Sequence, residues 1–129
     1  MPLVRINLRR GQAQGFGRRV GEIVYQTMVD VINVPQDDNF QVITEHEPDG
    51  LIYDPHYLGI ERSDGVIFIQ ITLNEGRSVE LKKTFYKALT ERLHQKLGVR
   101  MEDVVINLVE VKKENWSFGN GVAEVDVAE

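Results

Sequence analysis

Residues 67–78 read Ile-Phe-Ile-Gln-Ile-Thr-Leu-Asn-Glu-Gly-Arg-Ser. Ile69, Ile71 and Leu73 alternate with Gln70, Thr72 and Asn74, the period of a strand with one buried face, and Gly76 then breaks it. The same pattern stands 65 residues earlier, where Val4, Ile6 and Leu8 alternate with Arg5, Asn7 and Arg9 before Gly11. Helical spacing follows both times: Val20, Ile23, Val24, Met28 and Ile32 in the first stretch, Phe85, Ala88, Leu89, Leu93 and Leu97 in the second. Asn33 and Gly98 close these helices, and both residue types tolerate a left-handed C-terminal cap. A further strand follows each helix, over 40–47 and 104–112.

Residues 2–47 and 67–112 therefore read as two copies of one βαβ unit. Ungapped pairing gives six identities, a thin signal by itself. The stronger sign is that Ile6 and Ile71, Gly11 and Gly76, Val34 and Val99, and Asp38 and Asp103 hold matching places. Each unit makes its two strands parallel through a right-handed crossover. The fold class predicted is α+β: duplicated units in one four-stranded mixed sheet, the first strands of the two copies adjacent, and both helices on one face. The opposite face keeps apolar side chains and needs a cover, for which another copy of the chain is the natural candidate.

At 129 residues the chain is expected to form one domain, 1–129. The stretch 48–65 joins the copies as a long surface connection rich in Pro, Asp, Gly and Tyr. The tail, 113–129, carries Trp116 and Phe118 before Gly119 and Gly121, then Val122, Val125 and Val127, which reads as a hairpin or short strand packed on a neighbouring subunit.

The formal net charge of −5 speaks against nucleic acid or an anionic membrane as partner. No apolar run reaches membrane-spanning length, and Met1-Pro2-Leu3-Val4-Arg5 does not begin a signal peptide. The chain has no cysteine, which excludes disulfides and thiol catalysis and fits a reducing cytoplasm. His46, His56 and His94 lack metal-ligand spacing, so no metal is expected. Gly11, Gly15 and Gly17 lack the Lys-Ser/Thr of a phosphate loop. Together with Gly21 they only weaken the first helix where they fall inside it. Lys82, Lys83 and the region 110–114 read as solvated charge.

Pro2 stands out chemically. Removal of Met1 leaves a secondary amine that is both nucleophile and base, whereas with Met1 attached the nitrogen is an amide without basicity. An α-amino group titrates at about 7.7–8.0; burial lowers that value and a nearby carboxylate raises it. The same amine can serve as general base or protonated acid. Arg77 lies where the third strand ends and the second helix begins, placed to grip a substrate carboxylate through two parallel hydrogen bonds. The first copy has Gln12 in that place, so the duplicated sites have diverged.

Pro2, Val34-Pro35-x-x-Asp38, Gly76-Arg77-Ser78 and Trp116-Ser117-Phe118-Gly119, taken in order, resemble the tautomerase superfamily, whose members are βαβ repeats assembled as trimers or hexamers. Residues 67–78 are similar to the start of a 4-oxalocrotonate tautomerase subunit, and the four motifs together resemble the malonate semialdehyde decarboxylase group. The resemblance implies a cofactor-independent enzyme and a homotrimer. It implies catalytic Pro2, Asp38 and Arg77, with Arg77, Trp116 and Phe118 binding a small anionic oxo acid. Asp38 would hold Pro2 protonated or activate water, although its copy Asp103 leaves a plain turn aspartate open. Trp116 and Phe118 read equally well as pocket walls or interface anchors. The reaction implied is keto–enol tautomerisation, with decarboxylation of malonate semialdehyde as the alternative. The decarboxylase pattern carries a second arginine where this chain has Glu75. A non-catalytic oligomer is the remaining alternative, since fold does not fix function.

Overall fold

A computed structural model describes residues 2–127. Met1, whose removal the Pro2 chemistry requires, lies outside the described residues, as do residues 128–129. The elements are β1 (Leu3–Arg9), α1 (Phe16–Ile32), β2 (Gln41–His46), β3 (Ile67–Asn74), α2 (Val79–Leu97) and β4 (Val104–Val111). They form one mixed sheet in the order β2-β1-β3-β4. β1 runs parallel to β2, β3 parallel to β4, and the two copies meet where β1 pairs antiparallel with β3.

The alternation expected from the sequence is what buries the core. Val4, Ile6 and Leu8 of β1 and Ile67, Ile69, Ile71 and Leu73 of β3 lie under both helices, packed on Val20, Val24, Met28 and Ile32 of α1 and Phe85, Leu89 and Leu93 of α2. Asn33 and Gly98 end their helices in left-handed conformations, with φ of 62° and 69°. Polar contacts join the helices as well: Arg92 donates to Asp30 at 2.9 Å and to the buried Thr27 hydroxyl at 3.3 Å.

The glycines of α1 acquire a purpose. A Cβ at Gly17 would come within 2.8 Å of Ile43, and one at Gly21 would run into the Gln41 side-chain amide. Their bareness lets α1 settle on β2, where Gln41 donates to the Gly21 carbonyl at 2.8 Å. Lys82 and Glu110 correct the reading of solvated charge, because Lys82 Nζ meets Glu110 Oε1 at 2.6 Å between α2 and β4. Asp103 is likewise more than a turn residue. It is buried and accepts from the Ser63 amide at 2.7 Å and the Ser63 hydroxyl at 2.6 Å.

Arg9 fastens the connection between the copies by donating to the Leu51 carbonyl and to Asp64. In the tail, an isolated antiparallel bridge between Ser117 and Ala123 makes the expected hairpin. Val122 inside it and Val125 and Val127 beyond it are exposed. Opposite the helices, the sheet presents Phe68, Gln70, Val105, Asn107 and Val109 with no element of the described chain packed over them. No helix among the described residues is long and apolar enough to cross a membrane.

Candidate active site

The turn after β3 is built to bring an arginine back over the end of the sheet. Gly76 adopts φ +123°, a conformation closed to most side chains. The Glu75 amide donates to the Val111 carbonyl at 2.8 Å, and the Gly76 amide helps Lys82 lower the pKa of the Glu110 carboxyl. Held in this way, Arg77 donates through Nε to the Ile32 carbonyl at 3.0 Å and through Nη1 to the Asn74 carbonyl at 3.1 Å. A guanidinium carries five N–H donors. Two are engaged here, and those that remain include both on Nη2. An end-on grip by Nη1 and Nη2 is therefore still open to a carboxylate. Burial draws the Arg77 pKa below its usual value while the Glu110 charge opposes the shift, and the group stays cationic.

Pro2 is buried immediately before β1. Because Leu3 pairs with Thr72 in antiparallel register, Pro2 falls at the same end of the sheet as Asn74 and the Arg77 turn. Asp38 arrives from the other side. Its amide closes a turn on the Pro35 carbonyl, the Asp37 amide is held by the Tyr25 hydroxyl, and the Phe40 carbonyl accepts from the Val4 amide. These bonds set the Asp38 turn beside the start of β1. The Asp38 side chain is only 6% exposed, and burial pushes its carboxyl above the ordinary aspartate value, with the Glu124 charge acting in the same direction.

Trp116 and Phe118 stack with centroids 4.9 Å apart and 19° between their planes, and Phe118 leans on Phe40 at 5.4 Å. With Leu3 and Ser117 they line a cleft of about 280 Å³. The Trp116 indole donates to Asn74 Oδ1 at 2.7 Å. The residues singled out from sequence (Pro2, Asp38, Arg77, Trp116 and Phe118) thus gather at one end of the sheet. Glu75, which stands where the decarboxylase pattern has its second arginine, is exposed and adds no cation. The histidines are used elsewhere: His46 bonds Asn7, His56 bonds Glu61, and His94 meets the Val99 carbonyl.

Sequence reasoning missed Leu3 and Phe40 as walls, Asn74 as a partner, and Glu124, whose amide donates to the Trp116 carbonyl and whose Oε2 is buried without a hydrogen bond. The available signal was positional, since Leu3 follows Pro2 and Phe40 stands two residues after Asp38.

Comparisons with known proteins agree with the fold. Two family models, each described as tautomerase enzyme, match residues 38–119 and 2–60. The probable tautomerase YusQ of Bacillus subtilis (strain 168) is 45% identical over 125 residues, covering 97% of this chain and 98% of that protein. Among solved structures, FG41 malonate semialdehyde decarboxylase inhibited by 3-bromopropiolate superposes with a TM-score of 0.88 at 34% identity, over 95% of this chain and 93% of the other. A second malonate semialdehyde decarboxylase, solved as wild type, as a proline-to-alanine mutant and inactivated, gives 0.88 at 32% identity over 98% and 99%. With a family model matching more than half its length and a relative this similar nearly end to end, the chain belongs to the tautomerase family of enzymes.

Proposed function

We propose that the processed chain uses the Pro2 amine to move a proton on a small oxo acid or its enol, without a cofactor. The observation that carries this reading is that Pro2 and Arg77 share one sheet end, where Asn74 links the Arg77 guanidinium to the Trp116 indole. Arg77 takes the substrate carboxylate through Nη1 and Nη2. Pro2 accepts the enol hydroxyl proton as the carbonyl forms, and the resulting Pro2 cation returns it to the neighbouring carbon, which regenerates the free amine. Asp38 sets the state of that amine: ionised, it holds Pro2 as a cation; protonated, it leaves Pro2 free to act as base.

Decarboxylation is the second reading, favoured by the likeness to two malonate semialdehyde decarboxylases. There the Pro2 cation polarises the carbonyl oxygen, the bond to the carboxylate breaks, and its electron pair passes into the enolate that a proton then quenches at carbon. Glu75 weighs against it. The uncovered sheet face further supports a homotrimer, and the lack of cysteine supports the cytoplasm as the compartment.

The test is an NMR assay of processed protein with phenylenolpyruvate and, separately, malonate semialdehyde. Ketonisation should fall by about 100-fold or more when Met1 is retained or Pro2→Ala is made. Arg77→Ala should raise KM by about 10- to 100-fold, the loss of charge-assisted hydrogen bonds. Aldehyde and CO₂ lost in the same variants would establish the second reading, and inactivity of the processed protein on both compounds would overturn both.

A further inference from the structure

Asn74 occupies a joint that the proposed chemistry leaves without a role. It is the last residue of β3, and it is held at two atoms by two residues of the site. Its backbone carbonyl accepts from Arg77 Nη1 at 3.1 Å, and its side-chain oxygen accepts from the Trp116 indole at 2.7 Å. We propose that Asn74 is a positioning residue that sets the aromatic wall at a fixed place relative to the Arg77 guanidinium.

The tail gives Trp116 little other support. It follows β4 and a single 3-10 turn, Lys113–Asn115, so no strand ladder runs through it. Its backbone amide bonds only the Lys113 carbonyl at 3.3 Å, and its carbonyl accepts from Glu124, itself a tail residue. The indole hydrogen bond is the side-chain tie from this segment to the sheet, and it spans 42 residues of sequence. A half-buried tryptophan needs an acceptor for its N–H, and the choice of acceptor decides where the ring lies. Because Phe118 stacks on Trp116 and Phe40 leans on Phe118, moving the indole moves the whole wall. The amide also suits the neighbourhood. An aspartate would accept the same bond but place an anion beside the guanidinium that is to bind one.

That Arg77 receives a carboxylate rests on the function proposed above, whereas the hold on Trp116 does not. The experiment separates the two. Trp116 is the sole tryptophan, so its emission reports the indole directly. In Asn74→Leu, which keeps the side chain's size but removes the acceptor, emission should shift and acrylamide quenching should increase. KM for phenylenolpyruvate should rise about 5-fold, the scale of one lost hydrogen bond, with kcat held within about 2-fold. In a Trp116→Phe background, Asn74→Leu should add nothing further to KM, because its effect passes through the indole. Unchanged emission, or KM effects that simply add in the double variant, would overturn the proposal. If Asn74→Leu does not fold, Asn74→Ala carries the same readouts. A wild-type protein that turns over neither compound counts against the proposed function, and emission alone then decides whether Asn74 holds the wall.

Discussion

Asp38 and Asp103 occupy matching places in the two copies, yet their surroundings have parted. Asp103 is taken up by Ser63 and by Arg100, whose Nη1 lies 3.3 Å away. Asp38 sits instead where the chain begins, and burial raises its pKa from 3.8. The linkage sign follows from that direction. As pH climbs from about 3.8 through the raised folded value, the folded state keeps a proton that the unfolded state has lost, so stability falls. Asp38→Asn should remove this loss and flatten the pH dependence across that window, as read from urea midpoints collected upward from pH 3.5. At this scale the sequence exposed residues with chemistry of their own, such as Pro2, Arg77 and Trp116. Asn74 stayed hidden because an amide advertises no reaction and its partner lies 42 positions away.

The helices were legible in their periodicity and their ends, since Asn33 and Gly98 cap as expected. The glycines inside α1 were not, because a close approach to β2 is a tertiary fact that no local pattern carries. Gly17 and Gly21 should respond differently to alanine. At Gly17 the new methyl meets the branched Ile43, and Gly17 lies at the second position of α1, where helix propensity gains little. Overpacking dominates, and a loss of about 1 kcal/mol is expected. At Gly21 the obstacle is the mobile end of Gln41, which swings away at the cost of one hydrogen bond, about 1 kcal/mol. Alanine returns a similar amount in helix propensity, so Gly21→Ala should be nearly neutral. Urea denaturation of the two variants distinguishes them. Lys82 and Glu110 escaped for the same reason as the glycines, since their pairing depends on α2 lying against β4.

The order of the sheet followed from the repeat, because two right-handed βαβ units joined at their first strands leave little choice. What could not be read was how the connection 48–65 is fastened. Arg9 holds it through the Leu51 carbonyl and Asp64, and its guanidinium lies 5.3 Å from the Tyr53 ring centroid. The face opposite the helices is the assembly surface in the proposed trimer. It carries amides and apolar groups, including the hydrogen-bonded pair Gln70 and Asn107. A charge placed there is harmless to a monomer but costly once neighbours exclude water. Phe68→Glu should therefore lower the mass measured by native mass spectrometry from three copies to one while circular dichroism stays unchanged. A wild-type mass of one copy would sink the trimer directly.

Arg77 belongs to the second copy, yet its Nε is anchored on Ile32, the last residue of the first copy's helix. Pro2 and Asp38 come from the first copy, Arg77 and Asn74 from the second. A gene that has doubled usually holds a spare, so that damage in one half is masked by the other. Here that insurance has lapsed. In the proposed site each half supplies a residue the other lacks, Pro2 where the second copy has Ile67 and Arg77 where the first has Gln12, so a lesion in either one has no backup within the same chain.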